Sequence, residues 1–373
     1  QRGGAPRPFA VSLFQTLAGP ENGSNLVVSP WSVSASLGLL QLGARANTLA
    51  QLEGTLGYNA KADVHAVAAE RRAAGGGVRS PGDGLGQRQR DPSQPQPSQA
   101  QSGAGQNSTP DFQISSPDLG KRVNEWWHLQ AGGSSGELSG SGEAQVEAPR
   151  WDQRLQMALV DTVAFRGLWQ KQFQFTSTQN LPFALPEGGA IKVPMMYQAT
   201  EVGFGQFRTA AEQRYTVLEL PFLGRTLSLQ VVLPSERKAP LASLEAQLTA
   251  GQVASWESGL RRTKMDVFLP RFKIQNKFNL RSVLPAMGIS DAFNPTTADF
   301  SGISAEEKLY VSDAFHDARI EVTEDGTKAA AATSMVLLKR SRAPLFKADR
   351  PFLFLLRHTS TGSVLFLGRV TNP

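Results

Sequence analysis

The chain has 373 residues and no cysteine. That absence excludes disulfides, thiolate nucleophiles and thiolate metal sites together, so stability has to come from packing and not from covalent staples. Histidine is almost as scarce. His65, His128, His316 and His358 are the only four, they are scattered without ligand spacing, and His-Glu-x-x-His does not occur, so no metal site is expected. No apolar run approaches the roughly 20 residues that span a bilayer, and no membrane partner is expected. Zinc-finger spacing and interleaved basic and aromatic residues are also missing, so nucleic acid is not indicated. One segment, Gly132-Gly133-Ser134-Ser135-Gly136, fits the Gly-x-Ser-x-Gly of a hydrolase elbow, which needs an apolar strand before it and a helix after it. Here it is flanked by polar residues and more glycine. The match is compositional, no catalytic residue is assigned, and the chain is not expected to be an enzyme.

What is present is a large apolar content, 40%, enough to bury a sizeable core. The net charge is +6 with a pI near 9.6, a balance that favours polyanions by steering and counterion release. The basic residues Arg71, Arg72, Arg79, Arg88 and Arg90 trail into a polar tract, and read more readily as diffuse solvated charge than as a glycosaminoglycan patch. No cofactor is therefore expected, with a sulfated polysaccharide the one candidate. The chain opens at Gln1 without a charged and apolar leader, consistent with a signal peptide already removed. Two sequons, at Asn22 and Asn107, fit a secreted, extracellular glycoprotein.

Apolar residues recur at helical spacing in three places: Phe9, Leu13 and Leu17; Val33, Leu37 and Leu40; and Leu280, Leu284 and Met287. A further helix is expected over 121–129. Strand patterns run over 157–165, 215–220, 226–233 and 265–274, and residues 352–356 and 364–367 read as a buried hairpin. Helices before a run of strands give an α+β class. Between Arg72 and about Pro110 the sequence turns into Gly75-Gly76-Gly77 and a tract of Arg, Gln, Pro and Ser, too poor in apolar residues to order itself. Disorder is expected over 73–110.

The segment that carries function begins at Glu324-Asp325-Gly326-Thr327 and continues through Ala329, Ala330, Ala331, Ala332 and Thr333 to Lys339-Arg340-Ser341-Arg342. Four alanines favour a helix, while the residues around them favour a strand. Small side chains suit a segment that slides between two existing strands, a known switching mode. This hinge resembles that of inhibitory serpins. So do Asn25-Leu26-Val27-Val28-Ser29-Pro30-Trp31-Ser32, Phe165-Arg166-Gly167-Leu168-Trp169, Leu218-Glu219-Leu220-Pro221-Phe222, Leu269-Pro270-Arg271-Phe272 and the C-terminal Asp349-Arg350-Pro351-Phe352, in family order. The hinge and tail most resemble clade E.

The resemblance implies one domain over 1–373, helices around three β-sheets, and an exposed reactive-centre loop at 324–345. It implies a monomer that inhibits a trypsin-like serine protease as a suicide substrate, cleaved at Arg340-Ser341, with Lys339 or Arg342 as neighbouring alternatives. The hinge is then Glu324, Gly326, Thr327, Ala329 to Ala332 and Thr333. Trp169 stands where the loop first enters the sheet, and Ser29, Asp161 and His316 form the shutter beneath, with Asp161 in place of the family's asparagine. Residues 73–110 replace a family helix and a strand of the main sheet, which opens a second expectation: a serpin fold that is cut as a plain substrate or serves as a binding module.

Overall fold

The computed structural model describes residues 8–19, 23–57, 111–114, 155–326 and 343–373. The first helices form where the sequence periodicity places them. α1 (Pro8–Ala18) buries Phe9, Leu13 and Leu17 on one face. Strand β1 (Leu26–Val28) leads into α2 (Pro30–Gly43), where Pro30 occupies the first turn and the Ser29 hydroxyl accepts from the Ser32 N–H at 3.3 Å. Proline costs nothing there because its missing N–H would have no helical partner. α3 (Ala46–Leu56) ends at Gly57, whose φ of 75° is the left-handed cap that glycine adopts without strain.

The strands that follow are β2 (Asp111–Ile114), β3 (Leu155–Arg166), β4 (Gln179–Ala184), β5 (Ala190–Arg208), β6 (Arg214–Pro221) and β7 (Leu227–Pro234). Two short helices, α4 (Leu241–Gln247) and α5 (Ala250–Gly259), precede β8 (Arg261–Pro270), β9 (Phe272–Asn279) and β10 (Leu309–Val322). The chain closes with β11 (Leu345–Lys347), β12 (Phe352–His358) and β13 (Val364–Val370).

These strands pair as two ladders. A nine-stranded sheet runs β1-β13-β12-β7-β6-β5-β8-β11, with β4 also on β5; a four-stranded sheet runs β2-β3-β10-β9. Two of the three expected sheets are joined because β5 is 19 residues long. Its first part pairs with β4 and β8, and its last part, from Gly203 to Arg208, with β6. β7, β12 and β13 are buried at every position and mostly apolar, as strands covered on both faces are, with Ser228, Gln230, Arg357, His358 and Arg369 the buried polar exceptions. At Gly368 an added Cβ would lie 2.5 Å from the Phe354 ring, so the glycine is what admits Phe354 to the core.

Two readings are corrected. Residues 265–274 are two strands in different sheets: the Arg271 N–H still donates to Pro194 O on β5, one position beyond the Met195↔Pro270 pair, and from Phe272, which pairs with Val322 of β10, the chain belongs to the other sheet. The stripe Leu280, Leu284 and Met287 lies on two single 3₁₀ turns, Leu280–Ser282 and Leu284–Met287, and not on an α-helix. Pro285 removes an amide donor and Gly288, at φ 110°, stops the run. β2 pairs antiparallel with β3 across Met157 to Val160, directly after the tract at 73–110, which lies outside the described residues as does the helix expected at 121–129.

β3 and β10 lie side by side and parallel, in register from Leu155↔Leu309 to Arg166↔Glu321 with one bulge between Val311 and Asp313. The chain leaves β10 at the end where Trp169 closes β3. That geometry positions the site.

Candidate functional site

Beyond Val322 the chain is held by its own backbone and by a buried acid. The Trp169 N–H donates to Asp325 O at 3.0 Å, the Phe173 N–H donates to Glu324 O at 3.1 Å, and Trp169 pairs with Gly326 as an isolated parallel bridge. A Cβ at Gly326 would come within 2.8 Å of Trp169 O, so only glycine lets the two backbones meet. Trp169 is buried, stacked 4.3 Å from Phe222, and its indole N–H donates to Thr323 O at 2.6 Å. The bulky ring thus fills the end of the sheet while its polar edge is satisfied by the hinge itself.

Glu324 is fully buried. Its carboxylate accepts from Arg271 Nη2 at 2.6 Å and Nε at 3.0 Å, and from the Thr178 hydroxyl at 3.2 Å. A planar guanidinium matched to a carboxylate in this way is stronger and more directional than an ammonium pair. Next to it, Arg166 donates to Asp325 Oδ2 at 2.7 Å, and this bond holds the Arg166 pKa above its ordinary value. Arg271 stands one residue before Phe272 pairs with Val322 of β10, which sets it beside Glu324.

Halfway along the parallel pair, Asp161 on β3 and His316 on β10 are direct register partners. His316 Nδ1 and Asp161 Oδ2 are 3.1 Å apart, and both side chains are buried. The Ser29 N–H donates to His316 Nε2 at 3.0 Å, so that nitrogen is the acceptor and the ring proton sits on Nδ1, facing Asp161. The other Asp161 oxygen accepts from the Ser32 hydroxyl at 2.6 Å, and the Ser29 hydroxyl donates to Leu365 O at 2.6 Å. One polar cluster therefore ties β3, β10, the start of α2 and β13 together. Every member has a partner, as a buried network requires.

The structure brings together Ser29, Asp161 and His316 in one cluster and Trp169, Glu324 and Gly326 in another. Thr327, Ala329 to Ala332, Thr333, Lys339, Arg340, Ser341 and Arg342 lie outside the described residues, as do Asn22 and Asn107 and Gly132 to Gly136 with Ser134. Sequence reasoning passed over Arg271, Thr178, Phe222, Ser32 and Asp325. No local signal marks Arg271, because the burial of Glu324 that calls for a cation is a property of the fold. Among the described residues no three His, Asp or Glu side chains gather as metal ligands.

A family model described as "Serpin (serine protease inhibitor)" matches residues 5–76 and 111–373. The chain belongs to the serpin family. The match is interrupted only at 77–110, the polar tract. Probable serpin E3 of Danio rerio is 54% identical over 98% of this chain and 90% of its own length, and leukocyte elastase inhibitor of Homo sapiens is 34% identical over 98% and 97%. Among solved structures, native protease nexin-1 with heparin superposes with a TM-score of 0.72 at 25% identity, covering 98% of this serpin and 97% of that chain. The α+β serpin architecture and the clade E relationship read from the sequence both hold, and relatives of this serpin are named as protease inhibitors.

Proposed function

We propose that this serpin is a monomeric, extracellular suicide-substrate inhibitor of trypsin-like serine proteases, cleaved between Arg340 and Ser341. The observation that carries the reading is the parallel β3·β10 pair with the chain leaving β10 at Gly326. A segment that doubles back from that point and enters between the two strands runs antiparallel to both. One parallel ladder is thereby exchanged for two antiparallel ones, which pair more stably per residue. Residues 327–340 number fourteen, the length of β10, and at about 3.3 Å per residue they span roughly 46 Å. Insertion carries the far end of the loop from one pole of the sheet to the other.

The chemistry follows from a protease acting on its ordinary substrate. The protease serine oxygen attacks the Arg340 carbonyl carbon, the bond to the Ser341 nitrogen breaks, and the new amine of Ser341 leaves with the proton supplied by the protease histidine. Arg340 remains as an ester on the protease. The Arg340 guanidinium suits an aspartate at the base of a trypsin-like specificity pocket. The serpin is the substrate in this step and not the enzyme. Insertion then takes the ester away from the geometry that water needs for deacylation. A sulfated polysaccharide as accelerator is supported by the net charge of +6 and by the heparin in the protease nexin-1 structure.

One observation favours a second reading, in which the loop is cut without trapping. β2 meets only four positions of β3, so most of that strand has no described neighbour on its outer side. Incubation with trypsin followed by a denaturing gel separates the two. A covalent complex that survives boiling in detergent, and its loss in Arg340→Glu, is the expected result; cleavage without complex supports the second reading.

A further inference from the structure

A groove of about 700 Å³ lies far from the hinge, between the end of α1, the β4–β5 turn, the segment after β7, and α4. Leu185, Pro186, Pro240, Leu241 and Ala242 give it apolar walls. Four basic side chains stand around it, Arg237, Lys238, Arg350 and Arg369, against one lining carboxylate, Glu245, which Arg369 already grips at 2.9 and 3.2 Å. Arg237 and Arg350 divide a single acid between them: Arg237 Nη1 donates to Asp349 Oδ2 at 2.9 Å and Arg350 Nη1 to Oδ1 at 3.1 Å. Arg350 also donates from Nη2 to Pro234 O at 2.6 Å, yet its Nε is buried with no partner among the described residues. Lys238 is exposed and has no ion-pair partner among them.

We propose that this groove binds a monomeric long-chain carboxylate, with the acid head at Arg350, Arg237 and Lys238 and the chain along the apolar walls. The size is that of a site for a molecule of a few tens of heavy atoms, and such sites combine apolar lining with a few convergent polar groups. The charge balance decides the sign of the head: two arginines sharing one aspartate, with a lysine beside them, leave a surplus of positive charge at a wall partly withdrawn from water. Burial pushes the Arg350 pKa down, so an added anion relieves a charge that the fold holds at a cost. An uncharged chain of the same length leaves that surplus unanswered.

Calorimetric titration of the full chain with oleate, below its micellar range, tests this. One saturable site is expected, weakened at least about fivefold in Arg237→Gln/Lys238→Gln, both positions being exposed, and abolished in Ala242→Trp, which fills the groove. Oleyl alcohol is expected to bind at least about tenfold more weakly than oleate. No saturable binding of oleate, or binding that the Arg237→Gln/Lys238→Gln variant leaves unchanged, overturns the proposal. The charge variant decides the matter even if Ala242→Trp fails to fold.

Discussion

The nine-stranded and the four-stranded sheet share an apolar face but differ along their central strands. In the first, β7, β12 and β13 are buried at every position, and Phe354 and Phe352 reach across to Phe272 of β9 at 5.3 and 6.0 Å. In the second, the central pair is parallel, is tied at mid-length by Asp161, His316, Ser29 and Ser32, and is closed at one end by Glu324 and Arg271. Apolar interdigitation is non-directional and hard to part without leaving cavities. Hydrogen bonds across a seam can be exchanged for others when a new strand arrives. The difference teaches where the proposed insertion would act: it would leave the nine-stranded sheet as it is and exchange bonds in the four-stranded one.

The largest way to break the contrast lies in the permanent sheet. Phe354→Ala removes a fully buried ring, and is expected to cost about 3–5 kcal/mol in denaturant unfolding while the molecules that remain folded react with protease as before. Changed reactivity at equal folding would mean that the two sheets are not separable in this way.

Next comes the buried cluster of Asp161, His316, Ser29 and Ser32. Asp161→Ala leaves the His316 Nδ1–H and the Ser32 hydroxyl without acceptors, at an expected cost of about 2–4 kcal/mol. Asp161→Asn keeps the shape: its amide oxygen accepts from His316 and its nitrogen donates to Ser32, so a change within about 1 kcal/mol is expected from the same urea titrations. An asparagine variant as damaged as the alanine one would show that the negative charge, and not the hydrogen bonding, holds the seam.

At the hinge, Arg271 is half exposed, so Glu324→Ala is expected to cost less, about 2 kcal/mol. Its sharper signature is local. The amides of Trp169 and Phe173, which donate to the hinge backbone, should exchange with solvent faster, and unchanged protection would mean that the ion pair does not hold the hinge.

How much of this was legible in the sequence depends on whether a residue's role is local. Ser29 and Pro30 announce a helix start in four residues, and the alternation of Tyr215 to Leu220 announces a strand, so both were readable. The alanine tract and its basic end lie outside the described residues. Arg271 was not readable, since its role depends on Glu324, which is brought to it by the antiparallel β9·β10 ladder that ends at Val322↔Phe272. The split at Pro270 and the 3₁₀ turns at Leu280 to Met287 were lost for a related reason: the apolar periodicity continues through them, while prolines and a glycine change the backbone. The β4–β5 and β5–β6 pairings followed no motif at all, because a 19-residue strand serving two partner sets has the same alternation throughout.

The smallest expected effect sits back in the nine-stranded sheet, at Tyr197 on β5. Burial, and then the hydrogen bond to Asp266 at 2.8 Å, raise its pKa from 10.0 to about 12. The folded protein therefore keeps a proton that the unfolded chain sheds. Below pH 10 both states hold it and this contribution to stability is complete, and between pH 10 and about 12 stability falls as pH rises. Tyr197→Phe should flatten that slope in urea titrations across the window, and an unaltered slope would remove Tyr197 from the account.

The claim on which the rest depends is that the β3·β10 seam opens to accept residues 327–340 once the loop is cut. Melting of the protein before and after nicking by trypsin, with hydrogen exchange followed over 327–340 and over both strands, tests it most directly. The account predicts a rise of at least about 10 °C, several kcal/mol at roughly 2–4 °C each, with new protection in the inserted segment. An unchanged melting temperature, with 327–340 still exchanging freely, would contradict it.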